Sequence, residues 1–247
     1  MIENFEQLQA LAESWTAVDL LRWSLAQFHP KVVMVSGFGA DGVALIDIAS
    51  AVVPDLRLLT IDTGFLFPET ESLIERIERR YGIKVERARP ALTAEQQARL
   101  YGNSLWSRDP DLCCQLRKVE PLRQRLAGLS AWITGIRRQQ TALRATARKL
   151  EWDEQFGLMK VNPIVDWTAE QVWRHIRQND VPYNPLYDRN YTSIGCTHCT
   201  RAVEPGESPR AGRWAGFAKT ECGLHGPDQQ RKSPLPELVQ LDNRSPA

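Results

Sequence analysis

Lys31-Val32-Val33-Met34-Val35-Ser36-Gly37-Phe38-Gly39-Ala40-Asp41-Gly42 is the stretch that decides the fold. Its first half is a short apolar run, the pattern of a strand buried on both faces. Its second half is a glycine-rich turn, and an apolar helix is expected from Val43. Strand, turn and helix N-terminus together aim several backbone N–H groups at an anion. No Gly-Lys-Ser/Thr follows, so this is not a Walker loop, and the spacing is not that of the dinucleotide fingerprint. A tight strand-to-helix turn without a ligand fits these residues equally well.

The alternation continues along the chain. Leu56 to Asp62 is expected to be a second buried strand, closed by Ile61-Asp62-Thr63-Gly64. Pro68 to Tyr81 reads as a helix with Leu73, Ile74, Ile77 and Tyr81 on one face and Gly82 as its stop. Ile83 to Arg87 and Ala131 to Gly135 read as third and fourth strands. Residues 16–28 form an amphipathic helix that ends before Pro30, and Thr168 to Gln178 form another. The latter opens on the capping box Thr168-Ala169-Glu170-Gln171, with Trp167 placed to staple onto Val172. Strands alternating with helices give an α/β fold, a mainly parallel sheet with helices on both faces. In such sheets ligands sit outside the carboxyl ends of the strands, where both turns fall.

Two units are expected, an α/β domain over residues 1–202 and an irregular, flexible C-terminal tail over 203–247. The last 45 residues hold six of the fifteen prolines and five of the fifteen glycines. Formal net charge is +1, so no global field favours a polyanion. Of the 31 basic residues 24 are arginine, whose fork suits phosphate and sulfate oxygens, although many serve solvated helix faces. The start, Met1-Ile2-Glu3-Asn4-Phe5-Glu6, lacks an apolar signal core, and no apolar run approaches membrane-spanning length. The expected location is cytoplasmic.

The five cysteines divide as four plus one. Cys113 and Cys114 are adjacent, Cys196 and Cys199 form a C-x-x-C, and Cys222 stands alone in Glu221-Cys222-Gly223-Leu224-His225. An odd count with an adjacent pair argues against a secreted disulfide framework. Four thiolates suit one iron–sulfur cluster. A structural zinc site also takes four, though an adjacent pair is unusual there. A thioredoxin-like dithiol would leave Cys113 and Cys114 idle, and a c-type haem would need histidine where Thr200 stands. Cys222 is then a spare thiol or a nucleophile activated by Lys219, His225, Arg210 and Arg213, with Glu221 opposing if it lies close. Arg137, Arg138 and Arg144, past the fourth strand, are either solvated or anion contacts.

Together these residues resemble the assimilatory adenylyl-sulfate reductases, relatives of the phosphoadenylyl-sulfate reductases. The resemblance rests on Ser36 to Gly42, Ile61 to Gly64 with Pro68-Glu69-Thr70, Cys113-Cys114 with Arg117 to Leu122, and Thr134 to Arg138. It continues through Val181-Pro182-Tyr183-Asn184, Ile194 to Arg201, Arg210 to Trp214 and Lys219 to His225. It implies a sheet of the adenine-nucleotide hydrolase type and one 4Fe-4S cluster on Cys113, Cys114, Cys196 and Cys199. It implies that Cys222 attacks the sulfur of adenosine 5′-phosphosulfate, that AMP leaves, and that a dithiol from thioredoxin or glutaredoxin frees sulfite from S-sulfonated Cys222.

By the same resemblance Ser36, Gly37 and Gly39 belong to the phosphate-side turn, and Ile61 and Thr63 to the adenosine site. Gly135 and His225 line the substrate. Arg144, Arg210 and Arg213 hold the phosphosulfate, and Lys118 reaches both a cluster thiolate and the sulfate. Neither nucleic acid nor membrane is an expected partner, and a homo-oligomer stays open. Phe38 and Gly42 depart from the Ser-Gly-Gly-x-Asp-Ser loop of the pyrophosphatases, which counts against ATP cleavage. The alternatives are a reductase of the 3′-phosphorylated nucleotide or of both nucleotides, a tRNA-thiolating enzyme on the same fold, and a cluster-based redox sensor.

Overall fold

A computed structural model of the chain describes residues 5–53 and 55–225. Elements follow the chain as α1 (Phe5–Ala12), α2 (Ala17–Phe28), β1 (Val32–Val35), α3 (Ala40–Val52), β2 (Leu58–Ile61), α4 (Pro68–Tyr81) and β3 (Val85–Ala88). Then come α5 (Ala94–Tyr101), α6 (Pro110–Cys114), α7 (Glu120–Leu126), β4 (Ala131–Thr134), β5 (Leu150–Asp153), β6 (Leu158–Val161) and α8 (Ala169–Gln178). The sheet order is β3-β2-β1-β4-β6-β5, parallel except for β5, which runs against β6. The chain winds outward from β1 to β3 and then crosses back to β4. The point where winding reverses lies between β1 and β4, and ligands of such sheets sit at the carboxyl ends beside it.

Alternation along β1 divides the core. Val32 and Met34 join the larger cluster with Leu20, Leu21, Leu45, Ile46, Leu73 and Ile176. Val33 faces the other side with Leu59, Trp132, Leu122 and Leu126. Each such fully buried side chain contributes about 1.5–3 kcal/mol before entropy is counted. The expected helix over Pro68–Tyr81 is present, and Gly82 ends it at φ 64°, a left-handed conformation that costs glycine nothing. Thr168 caps α8 as expected, with Gln171 returning the bond, and Trp167 and Val172 share the larger cluster.

The helix after the first turn starts at Ala40, three residues before the expected Val43, because the chain enters it from Gly39 in extended conformation. The β5–β6 hairpin and α1, α5, α6 and α7 had no expected counterpart. Residues 203–225 hold no helix or strand, and Thr200 makes an isolated bridge to Arg213. Trp214, 3% exposed, is buried in that stretch. The remainder of the expected tail, 226–247, and residues 1–4 of the N-terminal reading lie outside the described residues.

Candidate active site

The turn after β1 is built around Ser36. Its buried Oγ accepts the Phe38 N–H at 3.1 Å. Gly42 leaves room for Ser36 Oγ, which a Cβ there would force into another rotamer. Phe38 sits at φ 56°, unusual for a residue with a side chain, and is 1% exposed. Burial of its ring offsets the local strain. Tyr187 closes the turn from above, its hydroxyl accepting the Ala40 N–H at 2.8 Å. Asp41 is taken by Arg137 Nε and by Gln140 Nε2 at 2.7 Å. Gly135, on the turn after β4, lets that turn press on α3, because a Cβ there would lie 3.3 Å from the Asp41 carbonyl. Gly37 faces open space.

The turn after β2 leads to the cysteines. Thr63 is buried, and its Oγ1 lies 3.4 Å from Cys196 Sγ while accepting the Phe65 N–H. Its hydroxyl therefore faces the thiols. Ile61, at the end of β2, packs on the smaller cluster. Asp62 is engaged by Arg89 at 2.9 Å and by Arg87.

Cys113 and Cys114 end α6, and a π-helical turn, Gln115–Val119, follows before α7. Pro121 explains the widening, for it has no N–H to give the carbonyl four residues back. Arg117 and Lys118 lie on this wide turn and line the same pocket as Cys113 and Cys114. Cys196 and Cys199 flank the single turn Thr197–Cys199. All four cysteines line one pocket with Phe65, Trp106, Pro110, Arg117, Lys118 and His198. His198 stacks on Trp106 with centroids 3.9 Å apart, and Phe65 meets both rings edge-on, so aromatic groups wall the pocket.

Arg117 is 2% exposed, donates Nη1 to the Thr63 carbonyl at 2.7 Å, and lies over the Phe65 ring at 4.4 Å. Its Nε and Nη2 are buried and have no partner among the described residues, as is true of Trp214 Nε1. Burial pushes Cys113 up to about 11 and Cys114 up to about 12, and neighbouring thiols add to this. Crowded thiols held this high ionise together only against a positive centre, and sulfur would serve the orphaned N–H groups as an acceptor. That donor set fits an iron–sulfur cluster. Among the described residues no three such side chains converge as the ligands of a single ion do. A four-iron cube spreads its thiolates wider than one ion does.

Lys118 joins the pocket to the fifth thiol. Burial lowers its affinity for a proton, but Cys196, Cys114 and Cys222 outweigh this and hold the ammonium above its usual range, with Arg213 opposing. Cys222 is partly exposed and free. Arg210 and Arg213 both donate to Ser193 Oγ, at 3.4 and 3.2 Å, and the Nε of each is buried without a partner among the described residues. Gly195 makes room for Arg213, since a Cβ there would lie 2.6 Å from its Cζ. Lys219 pairs with Asp111 on α6 and lies 5.4 Å over Trp214.

Arg144, the residue expected at the phosphosulfate, contacts the tail segment at Glu221. Its guanidinium grips Glu221 at 2.7 and 2.6 Å, and Thr141 Oγ1 donates to the same carboxylate at 2.8 Å. Burial raises the Glu221 carboxyl, but Arg144 and Arg210 outweigh it and leave the group below its ordinary value. Its negative charge is thus neutralised beside Cys222. His225 stacks on Trp132 at 5.4 Å, next to Leu224 on the smaller cluster. Burial and nearby Arg144, Lys160 and Arg210 push its imidazole well below its ordinary value, so it is neutral.

Arg117 and Trp214 stand in the motifs quoted above with no role assigned to either, and Trp106 and Tyr187 stand in none. For Arg117 a signal existed, its position four residues after Cys113. Trp106, 92 residues from its stacking partner His198, gave none.

The fold and site define a doubly wound α/β protein with a four-thiol pocket at the sheet's carboxyl edge and a fifth thiol beside it. The phosphoadenosine phosphosulfate reductase domain matches residues 31–202, and the chain belongs to that family. An adenosine 5′-phosphosulfate reductase of Shouchella clausii is 43% identical, the match covering 91% of this chain and 93% of that one. Adenosine 5′-phosphosulfate reductase 2 of Bacillus subtilis is also 43% identical, over 84% and 89%. Among solved structures, a phosphoadenylyl-sulfate reductase from Candida auris in a phosphate complex superposes with TM-score 0.72 at 32% identity. That match covers 81% of this chain and 98% of the other. Yeast FAD synthetase, at 16% identity and TM-score 0.54, shares the fold.

Proposed function

We propose that the chain reduces adenosine 5′-phosphosulfate to sulfite and AMP, with a thioredoxin-type dithiol as electron donor. One observation carries the reading. Four cysteines share a buried pocket, while Cys222 stands apart, partly exposed, near the ammonium of Lys118 and the arginines 210 and 213. The Cys222 thiolate attacks the sulfate sulfur, the sulfur–oxygen bond to the phosphate breaks, and AMP leaves. Lys118, Arg210 and Arg213 stabilise the charge that grows on the equatorial oxygens. A dithiol thiolate then attacks Cys222 sulfur and expels sulfite. Its second thiol resolves the mixed disulfide, returns Cys222 and supplies the second electron of the pair. The donor would be external, because a cluster on the other four cysteines would leave none to resolve Cys222.

Cys113, Cys114, Cys196 and Cys199 would hold one 4Fe-4S cluster, which when bound supplies the positive core that lets four crowded thiols ionise. Arg117 and Trp214 would give it N–H groups, and Lys118 would bridge its thiolates to the substrate. The turns at the carboxyl ends of β1 and β4, with Ser36, Gly37 and Gly39 in the first, take the nucleotide, with Ile61, Thr63 and Gly135 on its flanks and His225 nearby. The 32% identity to a phosphoadenylyl-sulfate reductase supports a second reading, use of the 3′-phosphorylated nucleotide as well. Turnover of both nucleotides at equal concentration separates the two.

The reading is tested by mass spectrometry after mixing the holoprotein with adenosine 5′-phosphosulfate and no reductant. The tryptic peptide Thr220–Arg231 should gain one sulfonate. A sulfonate on any other cysteine, or none, refutes it.

A further inference from the structure

We infer that Arg144 serves the tail and not the nucleotide: its fork docks Glu221, and that pair fixes the place of Cys222. The inference rests on the reading of Cys222 as the nucleophile. Both side chains are less than a tenth exposed. Arg144 gives Nε to one carboxylate oxygen and Nη2 to the other, at 2.7 and 2.6 Å, and Nη1 to Gln140. The edge of the guanidinium that would clasp an anion is fully used. Thr141 adds a donor at 2.8 Å, and Arg210 approaches to 3.9 Å.

The residues around Cys222 are tethered in the same manner. The Thr220 carbonyl accepts from Arg210 at 3.0 Å and the Gly223 carbonyl from Gln155 at 2.9 Å. Leu224 packs on the smaller cluster and His225 on Trp132. A nucleotide that took the edge of Arg144 would have to leave a buried carboxylate without its partner, which is strongly disfavoured. Arg210 and Arg213, by contrast, each keep a buried Nε without a partner among the described residues. These are the arginines left for an anion.

The test uses the full-length holoprotein and the variants Glu221→Gln, Arg144→Gln, and Arg144→Glu combined with Glu221→Arg. Three quantities are read: the AMP dissociation constant, the single-turnover rate of Cys222 sulfonation, and the rate of iodoacetamide modification of peptide Thr220–Arg231. The clamp predicts AMP affinity within about twofold of wild type and sulfonation slowed roughly 10- to 100-fold in both single variants. Cys222 should become more accessible to alkylation, and the charge-swapped pair should regain part of the rate. Tighter AMP binding with undiminished sulfonation in Glu221→Gln would overturn it, showing the carboxylate to be a stand-in that substrate displaces. Lost AMP binding in Arg144→Gln with alkylation unchanged would overturn it as well. Wild-type protein that takes up no sulfonate refutes the reductase reading instead, and the alkylation rates then decide the clamp alone.

Discussion

Thr63 Oγ1 lies 3.4 Å from Cys196 Sγ, so the turn at the carboxyl end of β2 touches the thiol pocket directly. The turn that ends β2 and the cysteine set thus pack as one structure. Thr63→Val removes the hydroxyl and keeps the volume. The loss of one hydrogen bond of about 1 kcal/mol should leave the iron content intact and speed bleaching of the visible absorbance by a chelator several-fold. An unchanged bleaching rate would show that the hydroxyl does not support the thiolate.

Lys118 is held charged by Cys196, Cys114 and Cys222 together. Lys118→Met keeps the stem and removes the charge. Sulfonation of Cys222 should slow by roughly 100-fold or more, the usual cost of one lost electrostatic donor, while the protein stays folded and coloured. A single-turnover rate near wild type would remove Lys118 from the mechanism.

Gly195 underlies the guanidinium of Arg213. Gly195→Ala must push that guanidinium aside, since the new methyl would lie 2.6 Å from Cζ. The expected result is a raised KM for the nucleotide with a smaller effect on Tm, because Arg213 is only partly buried and belongs to no apolar cluster. An unaltered KM would place Arg213 outside the substrate site.

Glu221 has a lowered carboxyl pKa in the folded protein. The contribution of its charge to stability is therefore complete above the ordinary carboxylate value and is lost as pH falls through the lowered one. The Tm difference between wild type and Glu221→Gln should hold constant from neutral pH down to about the ordinary value of 4.5, then shrink as pH falls from there towards the lowered one. A difference that already disappears above 4.5 would mean that burial, not Arg144, governs the group.

Much of this was legible in the chain. The run at Val32–Val35, the capping box at Thr168 and the glycine at 82 act through nearest neighbours, and each element was found where local chemistry put it. The cysteine partition was legible because thiols so paired have few uses. The β5–β6 hairpin was not, for Leu150–Asp153 carries the charges Glu151 and Asp153, and its strand character comes from pairing with Leu158–Val161. Nor was the Arg144–Glu221 pair, which joins residues 77 apart, a contact that only the closed tertiary structure creates. The same holds for Trp106 on His198.

The division of the sulfurs is tested most directly by iron content and colour in two variants compared side by side. Cys222→Ser should keep about four irons and the brown absorbance while losing all sulfonation, and Cys196→Ser should bleach. A colourless Cys222→Ser protein, or a Cys196→Ser protein with its full iron, would contradict the account.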